Sequence, residues 1–463
     1  MIQDSLAREV LDAALKSGAD FAELFLEDTE STRINLTDLS VSEAAYTRLC
    51  GAGVRVMSGT QSAYACTSNP TRGNLLDTAR EAAAGLKGGG APRVPAAYAG
   101  RVYETPVRVP FREIDNAGRI ALLRDAVMAA KSVSDEVTQV RASYMDKVQR
   151  VWIWNTEGLY VRDERPRTRS VVHAIAAKDG VAQEGYEAPG CCLGFEAYEE
   201  KIDLCEKGRQ AARSAVTMLH APECPASRVP VVINGGFGGA IFHEACGHSL
   251  EATSVARGNS EFCGKLGQQI AAPCVSAVDD GTLAGEWGSI NVDDEGAPSR
   301  RNLLIENGVL KGYLIDKLGA RRMGMEPTGS SRRQDYTLMP TSRMTNTFIC
   351  DGTDDDDEMI RTMGEGLYAA GIGGGQVNPA TGEFNFAVSE GYWIRDGRIL
   401  CPVRGAMLIG HGGEVLRLID RVGKGVWFGQ GMCGSLSGAV PTNVGQPRIR
   451  VSCLTVGGKG GAL

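Results

Sequence analysis

The sequence predicts an α+β protein, with an N-terminal domain of helices and antiparallel sheet and a C-terminal β-rich domain, sandwich or barrel-like. Three observations carry that reading. Helical apolar spacing is confined to a few segments. Between them run β-type stretches joined by turns too short for crossover helices, which implies antiparallel neighbours. The 59 glycines come in pairs and triplets without a fixed period, the mark of a turn-dense β architecture rather than of a collagen-like chain.

The chain opens with a helix over 5–17, where Leu6, Val10, Leu11 and Leu15 share a face and Gly18 stops it. Short strands are expected at Phe21–Glu27, Thr32–Leu36, Ala44–Leu49, Gly53–Met57 and Ser62–Thr67. Asn74 is placed to cap a second helix that ends at Gly88-Gly89-Gly90, and Pro92, Pro95, Pro106 and Pro110 mark an extended connector. A third helix covers 112–132. Next come Val137–Tyr144, Val148–Trp154, Gly158–Arg165, Arg169–Ala177 and Val181–Tyr186, read as a meander with one covered face. Trp152 and Trp154 share a side of their strand and read as core. A charged helix at 197–219 closes the half.

Pro222 and Pro225, flanking Glu223-Cys224, divide the chain into domains 1–224 and 225–463. The second domain starts with strand Val229–Ile233. Asn307-Gly308 and Asp396-Gly397 predict hairpins. Helices are expected at 315–323, 356–370 and 412–422, and Gly373-Gly374-Gly375 reads as loop. The acidic run Asp354–Asp357 is favourable charge at a helix start and lacks calcium-loop spacing.

Composition narrows the function. A net charge of −7 with no Lys/Arg block argues against nucleic acid or an anionic membrane as partner. No apolar run approaches the roughly 20 residues that span a bilayer. The N-terminal residues lack a basic-then-apolar signal pattern, and the 13 cysteines are scattered, so a cytoplasmic protein with buried thiols is expected.

The chemistry concentrates at Val231–Glu251, VVINGGFGGAIFHEACGHSLE, which holds two of the five histidines. His243 and His248 flank Glu244, the makings of a zinc site with its own general base. The usual zinc-peptidase helix spaces its histidines four apart. Five apart, at about 100° per residue, they diverge by roughly 140°. A π-type bulge, or unwinding at Gly247, would bring them to one side. The glycine pairs also suggest a phosphate loop, but no Lys-Ser or Lys-Thr follows them. A third ligand could be Glu251, Cys246, His411, Cys433 or Cys453, and spacing does not choose among them.

HEACGHSLE, with VDDGTLAGEWGSINVDDEG, NLLIENGVLKGYLIDKLGARRMGMEPTG, PTSRMTNT and GGGQV downstream, resembles the TldD/PmbA family of metallopeptidases, the TldD type in particular. That resemblance implies zinc ligation by His243 and His248, and a third ligand at Cys433, whose G-x-C-G turn precedes Gly445-Gln446-Pro447. It implies one Zn²⁺ per catalytic chain, with Glu244 as general base. It also implies peptide or unfolded-protein substrates, and a homodimer or a heterodimer with a PmbA/TldE-type paralogue. Arg332, Arg333, Tyr336, Arg343 and Asn346 then either contact substrate or partner or serve structural hydrogen bonding. The competing expectation is a non-catalytic peptide-binding or assembly subunit, its zinc structural or absent.

Overall fold

In the computed structural model, which describes residues 2–86, 88–89, 97–378, 382–461 and 463, the N-terminal strands are longer than the sequence suggests. Gly90, Pro92 and Pro95 lie outside the described residues. The paired runs fuse into Phe21–Thr37, Ser40–Ser58, Val137–Asn155 and Leu159–Lys178. Pro166 lies inside the last of these, although proline cannot donate to a ladder. It sits opposite Val148, at a point where the parallel partner Ala99–Glu104 has ended at Glu164 and the next partner begins at Thr168. The missing N–H falls on a locally unpaired edge, where it costs little.

These strands form one sheet in the order Gln61–Thr67, Ser40–Ser58, Phe21–Thr37, Val137–Asn155, Leu159–Lys178, Ala99–Glu104. Helices Asp4–Leu15 and Arg72–Ala84 cover part of one face, packing Val10, Leu11, Leu75 and Ala79 against Leu24, Val54, Trp152 and Trp154. Helices Asn116–Lys131 and Leu204–His220 cover the far end over Val140, Ala142 and Val172. The expectation of a single covered face needs correction. Phe25, Val151, Ile153 and Val161 point the other way and are buried against Val292 and Tyr336 of the C-terminal half.

Two further corrections concern ends of helices. Thr71, not Asn74, caps the second helix by accepting from the Asn74 N–H. The expected helices over 356–370 and 412–422 stop at Arg361 and Leu418, and the chain continues as strands Glu365–Val377 and Ile419–Val422. Gly373–Gly375 is therefore strand, not loop. Helix 197–219 is broken at Lys201, with Asp203 capping its longer part through Glu206 N–H. Both predicted hairpins are present, with Asn307, Gly308, Asp396 and Gly397 all at positive φ as such turns require.

C-terminal strands Glu365–Val377, Ser227–Ile233, Ile449–Gly457, Met407–His411 and Glu383–Arg395 pair successively, and the last pairs back to the first. The barrel-like expectation thus resolves to a closed barrel, with strand Glu365–Val377 running on beyond its pairing with Ser227–Ile233. Beside it lies a mixed six-stranded sheet that ends in Asn346–Ile349, Gly438–Gln446 and, at the edge, Trp427–Ser435. The segment with both histidines is wedged between barrel and sheet. Its Ile241, Phe242, Ala245 and Leu250 share one apolar cluster with barrel residues Val231, Leu367, Phe386 and Leu408. Among the described residues no helix is long and apolar enough to cross a membrane.

Candidate metal centre

From strand Ser227–Ile233 the chain passes Gly236, at φ +66, into a short helical turn that rests directly on backbone. A Cβ on Gly239 would stand 2.4 Å from the Gly445 nitrogen, so only glycine lets the segment lie against strand Gly438–Gln446. That strand pairs Val440 with Cys433. The close approach is what brings the histidine segment to the cysteine strand.

The wide turn demanded by the five-residue spacing is present. His248 N–H donates to the His243 carbonyl across His243–Gly247, an i→i+5 bond. Gly247 is not the cause of the bulge. Its φ of −52° and ψ of −55° are open to any residue. A Cβ there would instead lie 2.3 Å from Met344 Sδ, so this glycine makes room for a side chain. Gly412 does the same on another side, with its Cβ position 2.3 Å from the Ala245 carbonyl oxygen.

The result is convergence. Cys433 Sγ lies 3.2 Å from Nε2 of His243 and 3.2 Å from Nε2 of His248. The imidazole centroids are 4.9 Å apart and the rings nearly perpendicular, at 81°. Cys433 belongs to strand Trp427–Ser435, where a glycine-flanked turn was expected. His243 and Cys433 are buried, and the His248 side chain retains 15% of its exposure. Glu244 stands on the accessible side: its side chain is 31% exposed and Oε2 is 3.9 Å from His248 Nε2.

The other candidates for third ligand do other things. Glu251 is buried and its Oε2 lies 3.2 Å from His248 Nδ1, so it orients that ring from behind. Cys246 is buried in the apolar cluster. His411 accepts from the Gly413 N–H at the start of helix Gly412–Leu418. Cys453 lies in strand Ile449–Gly457. Among the described residues, His243, His248 and Cys433 alone gather donor atoms within 4.8 Å of one another.

Electrostatics suits this set to a cation. Burial alone would raise the Cys433 thiol, but the facing imidazoles outweigh it and bring it down to about 3. Burial alone would discharge His248, yet Glu251 and Cys433 hold it well above its ordinary value. A thiolate between two imidazoles is a donor set for a borderline-soft metal. Zinc bond lengths of about 2.3 Å to sulfur and 2.0–2.1 Å to nitrogen match its compactness.

Arg343 is one of five residues whose role the sequence left open. It has no exposed surface, lies 3.8 Å from Glu251 Oε1, and donates to the carbonyls of Cys433 and Gly438 and to Ser437 Oγ. Arg333 ties the two halves through Glu23 at 2.7 Å, and Tyr336 N–H donates to Glu27. Asn346 is buried and donates to the Asp280 carbonyl and Ser289 Oγ. A cleft of about 1040 Å³ opens between Lys207 and Arg213 of the N-terminal half and Gly371–Gly374 and Gly429–Met432 of the other; Met432, next to Cys433 in the chain, lines it, whereas the three donors and Glu244 do not.

Two imidazoles and a thiolate beside an accessible carboxylate, set against a closed barrel, define the metal-dependent hydrolase class. Residues 226–458 match the PmbA/TldA metallopeptidase C-terminal domain, 109–219 the central domain and 22–85 domain 1 of the same family. A metalloprotease TldD homolog of Haemophilus influenzae is 34% identical, covering 97% of this chain and 95% of its own. A metalloprotease of Methanothermobacter thermautotrophicus is 32% identical over 96% and 97% of the two chains. In fold, the chain is similar to TldE from Thermococcus kodakarensis, with a TM-score of 0.77, 16% identity and coverage of 97% and 99%. The chain belongs to the TldD/PmbA family of metallopeptidases, TldD type.

Proposed function

We propose that this metallopeptidase is zinc-dependent, with His243, His248 and Cys433 holding one Zn²⁺ and Glu244 acting as general base. What carries the reading is the convergence of the three donors, with the partly exposed Glu244 3.9 Å from His248 Nε2. A zinc ion so held supplies Lewis acidity towards water and a peptide carbonyl. Glu244 takes the proton of the attacking water and delivers it to the leaving amine. Glu251 keeps His248 Nε2 turned to the site, and Arg343 fixes Glu251 relative to the Cys433 strand.

Substrates are short or unfolded peptides. Strand Glu365–Val377 pairs with Ser227–Ile233 only over Leu367–Ala369, so Gly371–Gly374 offers a further edge to the cleft. An extended peptide added there binds through main-chain bonds with little regard for side chains. Residues 1–224 act as scaffold and 225–463 as the metal-bearing unit. The active species is a homodimer or a heterodimer with a PmbA/TldE-type paralogue. All thirteen cysteines are unpaired, which fits a cytoplasmic location.

The test is metal analysis of the purified protein, with peptide cleavage assayed before chelation, after it, and after zinc is restored. One zinc per chain and cleavage that follows the metal are expected. Zinc retained without cleavage of any unfolded peptide would favour the assembly-subunit reading.

A further inference from the structure

Lys147 and Arg167 are directly opposed on neighbouring strands Val137–Asn155 and Leu159–Lys178. Like charges so placed destabilise a sheet unless something offsets them. Their side chains line a cavity of about 170 Å³ together with Arg165, Arg332 and Arg333. Arg165 is paired with Asp163 and Asp294, and Arg333 with Glu23. Three cations remain. Among the described residues, Arg167 donates only to the carbonyls of Trp287 and Ser289, and Arg332 only to that of Met344.

Neighbouring carboxylates take their hydrogen bonds elsewhere, so Glu27 and Asp335 act on Lys147, and Asp294 and Asp279 on Arg332, through space rather than by contact. Asp294 is taken by Arg165 and the Arg333 N–H. Asp279 is held by Thr345 and Thr347, Asp335 by Thr337 and Gln334, and Glu27 by Thr29, Gln149 and Tyr336. Among the described residues, none lies within 4.0 Å of Lys147, Arg167 or Arg332. Burial, with Arg167 and Arg343 adding to it, pulls Arg332 down to about 9, against the partial offset from Asp294 and Asp279. Charges so enclosed are costly unless paired.

We propose that Lys147, Arg167 and Arg332 bind a small oxyanion, a phosphate or carboxylate group, in this cavity. Exposed Gln334 and Met432 line its solvent side. Met432, which precedes Cys433 on the same strand, also lines the larger cleft, so the two cavities adjoin. The anion joins two strands of the N-terminal sheet to Arg332 of the C-terminal half. Its binding stabilises the assembled chain.

Thermal unfolding of the full-length, metal-loaded protein tests this, with sodium phosphate or acetate titrated at ionic strength held constant by chloride. The expected result is a saturable rise in Tm with one of the anions. Lys147→Met and Arg167→Met are each expected to weaken that apparent affinity at least about tenfold, and Lys147→Met to melt higher than wild type without anion. A peptide with a free C-terminus, but not its amide, competing with the anion identifies a peptide carboxylate as occupant. Failure of both to compete identifies a free oxyanion. No saturable rise with either salt, or an equal rise in Lys147→Met, overturns the proposal.

Discussion

Arg343 hydrogen-bonds the carbonyl oxygen of Cys433 and stands 3.8 Å from Glu251, so one buried guanidinium links the cysteine strand to the carboxylate behind His248. Residues that orient ligands from behind are worth about 10–100-fold in metal affinity. Arg343→Met is expected to lower zinc affinity by that order, read by competition with a coloured chelator. An unchanged affinity would leave Arg343 a purely structural residue.

Glu244 touches the site without belonging to the donor triad. Glu244→Gln should retain a full complement of metal and lose turnover by about 10²–10⁴-fold. Metal content and peptide cleavage are measured on the same preparation. Substantial cleavage by the loaded variant would remove Glu244 from the mechanism.

Gly247 offers a sharper separation of causes. Its backbone is accessible to alanine, and only Met344 Sδ, 2.3 Å from the added Cβ, stands in the way. Gly247→Ala should therefore destabilise by about 1–3 kcal/mol. Combined with Met344→Ala, most of that cost should vanish in a double-mutant cycle. Strict additivity would mean that the turn itself needs glycine.

The seam between the halves holds a buried network. Arg55 pairs with Glu23 at 2.9 Å and with Glu295 at 2.7 Å, and Arg333 reaches the other oxygen of Glu23. Glu23→Ala leaves Arg333 without its carboxylate partner and Arg55 with Glu295 alone, and should cost about 3–5 kcal/mol in denaturant unfolding. A loss below about 1 kcal/mol would show that water reaches the seam.

Much of this was legible from the residues. The wide turn followed from the five-residue spacing and helix geometry alone. Both hairpins followed from Asn-Gly and Asp-Gly. What stayed hidden depends on contacts between distant segments. Nothing near Gly247 announces Met344, and nothing near Cys433 announces Arg343. The second covered face of the N-terminal sheet is invisible locally, because Val292 and Tyr336 arrive from elsewhere in the chain. The strands following Arg361 and Leu418 were lost to helix because short apolar runs suit either state. The choice of Cys433 among five candidates came from family resemblance, since spacing was neutral.

The most direct measurement is X-ray absorption at the zinc edge of the purified protein. One sulfur at about 2.3 Å, two imidazole nitrogens at about 2.0–2.1 Å and a further light atom from water are expected. Cys433→Ser should lose the sulfur contribution. A spectrum without sulfur, or with four protein ligands closing the site, would contradict the proposed centre.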